Sequence, residues 1–325
     1  MNTKSPSGAS TPADLYAARL NDPNDPDYFY GPRRIAMVNA EFDRKKTPQE
    51  LEHELHSIFP RGRYSSSRLI PTQFLHSTLF RYASNKSARE PECVNFFPLT
   101  SGGYIESYGE ELRQDDESVL LELTYRMAGR GRAAELVFDP VEFVKALGWD
   151  SGHVVKNESG ERAPYSVYRL KACIERLRGT SLRLFDKYNE LRWSTGLVQE
   201  AFYLDQWKVQ MSGTLLDMLV ASATAINIRI RKLLHEGLET WLYGHLCAND
   251  CSRWFKIVTL REASGSKASL PEFGRAVREA LNRIKDVGGV LDFKPSRGRV
   301  FVCKKSKSGQ KSALDARGID HINGQ

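Results

Sequence analysis

The sequence predicts an α+β protein in which one unit, a long amphipathic helix followed by a hairpin with a basic tip, occurs twice. Three observations carry this. From Leu270 to Val287 the apolar residues Leu270, Phe273, Val277, Ala280, Leu281, Ile284 and Val287 recur at the spacing of a helix with one buried stripe. Gly288-Gly289 ends that helix, and two β-like runs, Val290–Phe293 and Arg299–Cys303, flank the turn Lys294-Pro-Ser-Arg-Gly298. Finally, a shift of 107 positions places Lys171, Arg176 and Arg178 on Arg278, Arg283 and Lys285, and Leu170, Ile174 and Leu177 on Val277, Leu281 and Ile284. A shared core stripe is expected of any two amphipathic helices. Matched basic positions and matched flanking order are not, so two copies of one unit are expected. A helix followed by such a hairpin is how a winged helix meets DNA. The predicted fold is therefore two tandem winged-helix domains behind a flexible N-terminal arm.

Residues 1–65 form the arm. They are rich in Pro, Ser, Asp and Asn (SPSGASTP, NDPNDPDYFYGP) and lack a sustained apolar period. Within them Thr47-Pro-Gln-Glu50 is a capping-box signal for a short helix with Leu51, Leu55, Ile58 and Phe59 on one face. The first domain, 66–210, opens with a helix over Pro71–Tyr82 and strands at Val94–Leu99 and Tyr104–Tyr108. Asp115–Met127 is a strong helix with Val119, Leu120, Leu123 and Met127 inside, broken by Gly129-Arg-Gly131. Glu135–Phe138 is a strand, and Asp139-Pro140 starts a short helix, Val141–Leu147, that Gly148 stops. Ser151–Ala163 reads as a polar turn and Tyr165–Arg178 as a helix ended by Gly179. Ser181–Phe185, Gly196–Tyr203 and Trp207–Met211 read as strands.

The second domain, 211–305, repeats this grammar. A short helix at Gly213–Val220 and a strand at Ala225–Ile228 lead into a long amphipathic helix, Arg231–Leu246. A strand at Phe255–Val258 and a short helix at Leu260–Ala263 follow, and then the helix from Leu270. There Ser269 serves as N-cap, with Pro271 and Glu272 in the first turn. Residues 306–325 are expected to be a flexible basic tail.

Charge is placed unevenly. The chain of 325 residues carries +7 overall, but Lys256–Lys311 holds 14 Lys/Arg against 5 Asp/Glu, while the first 65 residues hold 9 of each sign. A basic patch gathered on one helix and one hairpin fits a phosphate-binding surface, so double-stranded DNA is the expected partner. In such a unit the second helix of the helix-turn-helix enters the major groove, its N-terminal half meeting base edges. In the first domain Ser166, Tyr168, Arg169 and Lys171 would take those positions, with Arg176 and Arg178 further along on phosphates. In the second domain Arg275 and Arg278 would read, and Arg283 and Lys285 would follow. Lys267, Lys294, Arg297 and Arg299 would add contacts from the turn and the hairpin.

Catalytic readings fare worse. His53-Glu54-Leu55-His56 sets its second His one residue too close for a zinc-protease helix. His245, Cys247 and Cys251 lack a second pair at ligand spacing. There is no GxxxxGK[ST] phosphate loop and no His-x-His pair of a nicking nuclease. No enzyme activity, metal or cofactor is therefore expected. No apolar run approaches the ~18 residues of a membrane span. The polar N-terminus and five scattered cysteines fit a reducing, cytoplasmic setting. His76-Ser-Thr-Leu-Phe80 loosely resembles the short peptides that bind the bacterial sliding clamp, although Leu79 and Phe80 read better as core residues.

An ordered series of segments then becomes informative. It comprises Leu136-Val-Phe-Asp-Pro-Val-Glu-Phe-Val-Lys-Ala-Leu-Gly148, Tyr168-Arg-Leu-Lys-Ala-Cys173 and Trp193-Ser-Thr-Gly-Leu-Val-Gln-Glu-Ala-Phe202. Lys256-Ile-Val-Thr-Leu-Arg-Glu262, Phe273-Gly-Arg-Ala-Val-Arg-Glu-Ala-Leu281 and Lys285-Asp-Val-Gly288 complete it. From Arg68 to Lys305 this series resembles the TrfA-type initiators of plasmid replication; the diagnostic is the order, not any one motif. The resemblance implies sequence-specific binding to repeated origin sites (iterons), help in opening the duplex, and work with the host initiator and helicase. It also implies a monomer–dimer balance, hence a homodimer, in copy control. A winged-helix transcriptional repressor and a DNA-nicking enzyme are the alternatives.

Overall fold

The structure, a computed structural model, describes residues 66–83, 87–98, 104–127, 135–149, 152–156, 162–185, 188–249 and 251–304. The N-terminal arm with its capping-box helix and the C-terminal tail lie outside the described residues. The chain opens with β1 (Ser67–Pro71), α1 (Thr72–Leu75), β2 (Phe80–Arg81), β3 (Cys93–Pro98), β4 (Tyr104–Gly109) and β5 (Leu112–Arg113). A first unit follows, from α2 (Gln114–Met127), β6 (Glu135–Phe138) and α3 (Pro140–Leu147), through the hairpin β7 (Val154–Lys156) and β8 (Arg162–Pro164), to α4 (Tyr165–Gly179). After β9 (Ser181–Phe185) and β10 (Leu191–Gly196), the hairpin β11 (Val198–Tyr203) and β12 (Trp207–Met211) closes it. The connector is α5 (Gly213–Ala221), β13 (Ala223–Asn227) and α6 (Ile228–Leu233). The second unit comprises α7 (Leu238–Cys247), β14 (Arg253–Lys256), α8 (Ile257–Ser264), α9 (Leu270–Asp286), β15 (Asp292–Ser296) and β16 (Arg299–Cys303).

The two units share one topology. Each runs helix, strand, helix, helix, hairpin, and each closes a three-stranded antiparallel sheet whose last strand is central. The orders are β11-β12-β6 and β14-β16-β15. The first unit differs by two insertions, the β7–β8 hairpin before α4 and the pair β9–β10, which joins β4 and β3 in a four-stranded sheet ordered β10-β9-β4-β3. Local chemistry fixes the helix ends. Asp139 accepts bonds from the Val141 and Glu142 amides ahead of α3, and Gly148 stops it at φ 80. Ser269 and Glu272 make a reciprocal capping box at the start of α9.

A continuous core runs through both units. Leu120, Leu123, Phe143, Leu170, Ile174 and Leu177 fill the first, and Leu242, Phe273, Val277, Leu281, Ile284 and Val300 the second. The division expected at 210/211 is crossed by backbone pairing, because β1 lies antiparallel to β13 with Ile70 opposite Thr224. Arg231 of α6 adds a buried side-chain tie, 3.0 Å from Glu117 of α2.

Several segments depart from the sequence expectation. Of Pro71–Tyr82 only Thr72–Leu75 is helical; the Ser77 hydroxyl bonds the Phe74 carbonyl, and β2 then pairs in parallel with β5. Ser151–Ala163 contains the β7–β8 hairpin instead of a plain turn. The single helix expected over Arg231–Leu246 is two, α6 and α7, parted by Gly237 at φ 125, a conformation open to glycine.

Leu79 and Phe80 are buried, so the Leu-Phe pair is core and is not offered as an exposed clamp-binding peptide. His76 nearby stands edge-on to the buried His245 at 5.1 Å, and His245 stacks on Trp241. Burial, then His245 and Arg253, lower His76 to about 3; burial, with Arg253, lowers His245 to about 4. Both rings are neutral in the fold, whereas the unfolded chain takes up these protons near 6.5. Their contribution is therefore complete above that pH and is lost as pH falls from 6.5 toward 4, at up to about 1.4 kcal/mol per pH unit per group. His76→Gln should flatten the decline of stability between pH 6.5 and 4.5 relative to the parent, measured from urea unfolding at several pH values. Equal slopes for the two proteins would refute the assignment.

Candidate nucleic-acid interface

The exposed basic surface of the second unit is built on α9. Phe273, Val277, Ala280, Leu281 and Ile284 turn into the core. That rotation leaves Arg275, Arg278, Glu279, Asn282 and Lys285 outward, where they line an open groove against Asp292, Phe293 and Pro295 of β15. Lys285 Nζ bonds Asp292 Oδ1 at 2.7 Å and ties helix to hairpin across that groove. Lys294, Arg297 and Arg299 are exposed along the hairpin, whose turn is closed by Gly298 at φ 71. Two members of the expected set point elsewhere. Arg283 reaches back 3.4 Å to the Leu233 carbonyl, and Lys267 bonds Glu90 at 2.7 Å.

The first unit is arranged differently. On α4, Lys171 and Arg178 are exposed and Tyr168 is half-buried. The Lys171 ammonium lies 4.8 Å over the Tyr203 ring of the first hairpin, and Arg178 bridges Glu175 at 2.6 Å. Ser166, Arg169 and Arg176, expected on the exposed face, are not there. Ser166 is buried, and its hydroxyl lacks a hydrogen-bond partner among the described residues. Arg169 bonds Glu236 and lies 3.4 Å from Asp115, with its guanidinium over Trp149. Arg176 bonds Asp116 at 2.9 Å. The physical reason is the run of carboxylates that opens α2, which draws these cations onto the flank of α4.

That acidic cluster is the main electrostatic feature of the first unit. Arg89 reaches both Asp115 and Asp116 at 2.8 Å. Burial, then the adjacent Asp115, push the Asp116 carboxyl up to about 6. Against its own burial, Asp115 is held below the usual carboxylate range by Arg89, with Arg169 and Arg176 assisting. Asp115, Asp116 and Cys173 bring ligand atoms within 4.8 Å of one another. The guanidiniums of Arg89 and Arg176 already neutralise that pair of carboxylates, and burial pushes the Cys173 thiol well up, so the set suits an ion-pair network better than a cation site. Among the described residues His245, Cys247 and Cys251 are not gathered into a ligand set.

No protein-family model matches the chain, and no curated protein matches it. Among solved structures it is similar to domain 2 and domain 3 of RctB in their selenomethionine form. That match has a TM-score of 0.51 at 11% identity, over 73% of this chain and 99% of that one. A second structure of RctB domains 2–3, RctB-155-483, matches with a TM-score of 0.47 at 10% identity, over 68% and 95%. The chain shares its fold with RctB domains 2 and 3. Among the described residues, no helix is long and apolar enough to cross a membrane.

Sequence reasoning missed Arg89, Glu236, Glu279 and Asn282. The first two are partners across the fold with no local signal. The last two were legible, since both fall off the apolar stripe of α9 in the same rows as Arg275 and Arg278. The different burial of the two arginine sets gives a direct check. Arg176→Ala leaves Asp116 buried beside Asp115 with Arg89 as its remaining guanidinium, and should cost roughly 1–3 kcal/mol of stability. Arg278→Ala should stay within about 0.5 kcal/mol of the parent. Chemical denaturation measures both, and equal small losses would contradict the assigned network.

Proposed function

We propose that the chain is a sequence-specific DNA-binding protein that initiates replication, with its two units acting as winged helices. The observation that carries this is the outward face of α9. Arg275, Arg278 and Lys285 line an open groove, and Lys294, Arg297 and Arg299 continue the charge along the adjoining hairpin. Arg278, Lys294, Arg297 and Arg299 have no ion-pair partner among the described residues, so their charge is available to a polyanion. In this reading α9 enters the major groove, where an arginine bidentate to guanine supplies roughly 1–3 kcal/mol of discrimination. The hairpin tip lies along neighbouring phosphates. The α4 helix of the first unit adds Lys171 and Arg178 beside Tyr168.

Two lines favour an initiator over other DNA-binding proteins. The segments from Leu136 to Gly288 resemble TrfA-type plasmid initiators, and the chain shares its fold with domains of RctB, a replication initiator of Vibrio chromosome II. On this proposal the chain binds iterons at an origin, helps to open the duplex and recruits the host initiator and helicase, without catalysing a reaction itself. A homodimer serves copy control.

Footprinting the purified chain on the replicon that encodes it tests the proposal. Evenly spaced protections near the origin, in step with the helical turn, are expected. One isolated operator would instead indicate a repressor, and no selective protection would refute sequence-specific binding. In parallel, Arg278→Glu should abolish selective binding at moderate salt. Lys294→Ala and Arg297→Ala should each make the plot of log affinity against log salt shallower by about one. Fluorescence anisotropy reads all three, and an unchanged slope would remove the hairpin from the interface.

A further inference from the structure

We infer that Glu279 and Asn282, neither of them basic, help to decide which bases the second unit selects. This rests on the reading of α9 as the helix in the major groove. Both side chains are exposed and line the same groove as Arg275 and Arg278. Neither has a hydrogen bond or ion pair with a described residue. Glu279 stands one helical turn from Arg275 on one side and from Arg283 on the other, yet bridges neither.

A surface that only held phosphates would have no use for this carboxylate, which repels them. Beside base edges it has a definite use. A carboxylate accepts from the N4 amino group of cytosine and is repelled by the O6 and N7 acceptors of guanine. Asn282 carries one acceptor and one donor group at the spacing of adenine N6 and N7. From Arg275 to Asn282 the helix rises about 10 Å, roughly three base-pair steps of duplex at 3.4 Å each. Four side chains of three chemical kinds are therefore strung along a length that a single site requires. The Lys285–Asp292 bond holds the hairpin wall of the groove in place beside them. The aligned positions of α4 are Ala172 and Glu175, and Glu175 is tied to Arg178 at 2.6 Å. The pair is thus peculiar to the second unit, and the two units present different chemistry to DNA.

Selection of binding sites by the full chain from a duplex library with a randomised core tests this, run beside Glu279→Gln and Asn282→Ala. The parent should select a site with one cytosine position that Glu279→Gln turns toward adenine, since a glutamine amide matches the adenine edge. It should also show one adenine position that Asn282→Ala relaxes, with roughly 5- to 150-fold weaker binding to the parent site. Each residue stands or falls by its own position. The parent's selected site recovered unchanged with a variant overturns the assignment of that residue and leaves DNA binding by α9 intact. A parent chain that selects no site overturns both.

Discussion

The first unit depends on one buried electrostatic arrangement, the carboxylates Asp115, Asp116 and Glu117 at the start of α2. Their place at a helix N-terminus is favourable, because the exposed amides and the helix dipole support negative charge there. Burial opposes it, and the opposition is met by guanidiniums drawn from several parts of the chain. Arg89 comes from the loop before β3, Arg176 from α4 and Arg231 from α6. Removing such charges from water is costly, so the arrangement stands only while each carboxylate keeps its partners. The buried stripe of Leu170, Cys173, Ile174 and Leu177 orients α4, and the cluster takes up the arginines on its flank. With Arg169 and Arg176 drawn to the flank, Lys171 and Arg178 are the cations left outward.

Much of the fold was legible in the sequence because much of it is local. The α9 helix has a clean apolar stripe, a capping box and a glycine stop, each within a few residues of the others. The α3 helix has Asp139, Pro140 and Gly148 in the same way. What escaped was non-local. The two-residue strands β2 and β5 exist only because they meet each other, and the strand β10 only because it joins β9. The break between α6 and α7 was marked by Gly237, but the apolar pattern continues past it and outweighed that single glycine.

The same division explains the site. Arg278 lies outward as its place off the apolar stripe predicts, because amphipathic phase is a local property. Arg169 and Arg176 have equally suggestive positions on α4, but their partners lie 67 and 60 residues away. Nothing near them in the chain distinguishes an arginine bound for a buried carboxylate from one bound for solvent. The two units therefore match in topology and in aligned basic positions, yet differ in how many of those charges remain outward.

The pairing of β1 with β13 has a consequence for how the protein is made. Ser67–Pro71 leaves the ribosome long before Ala223–Asn227, its only strand partner among the described residues. At roughly 5–20 residues per second, the earlier strand waits on the order of ten to thirty seconds. During that interval the β1 edge lacks its partner strand, a template for pairing with another chain. Nascent chains cut short before Ala223 would keep that bare edge indefinitely. Closure of the β1–β13 pair thus waits on translation of the connector.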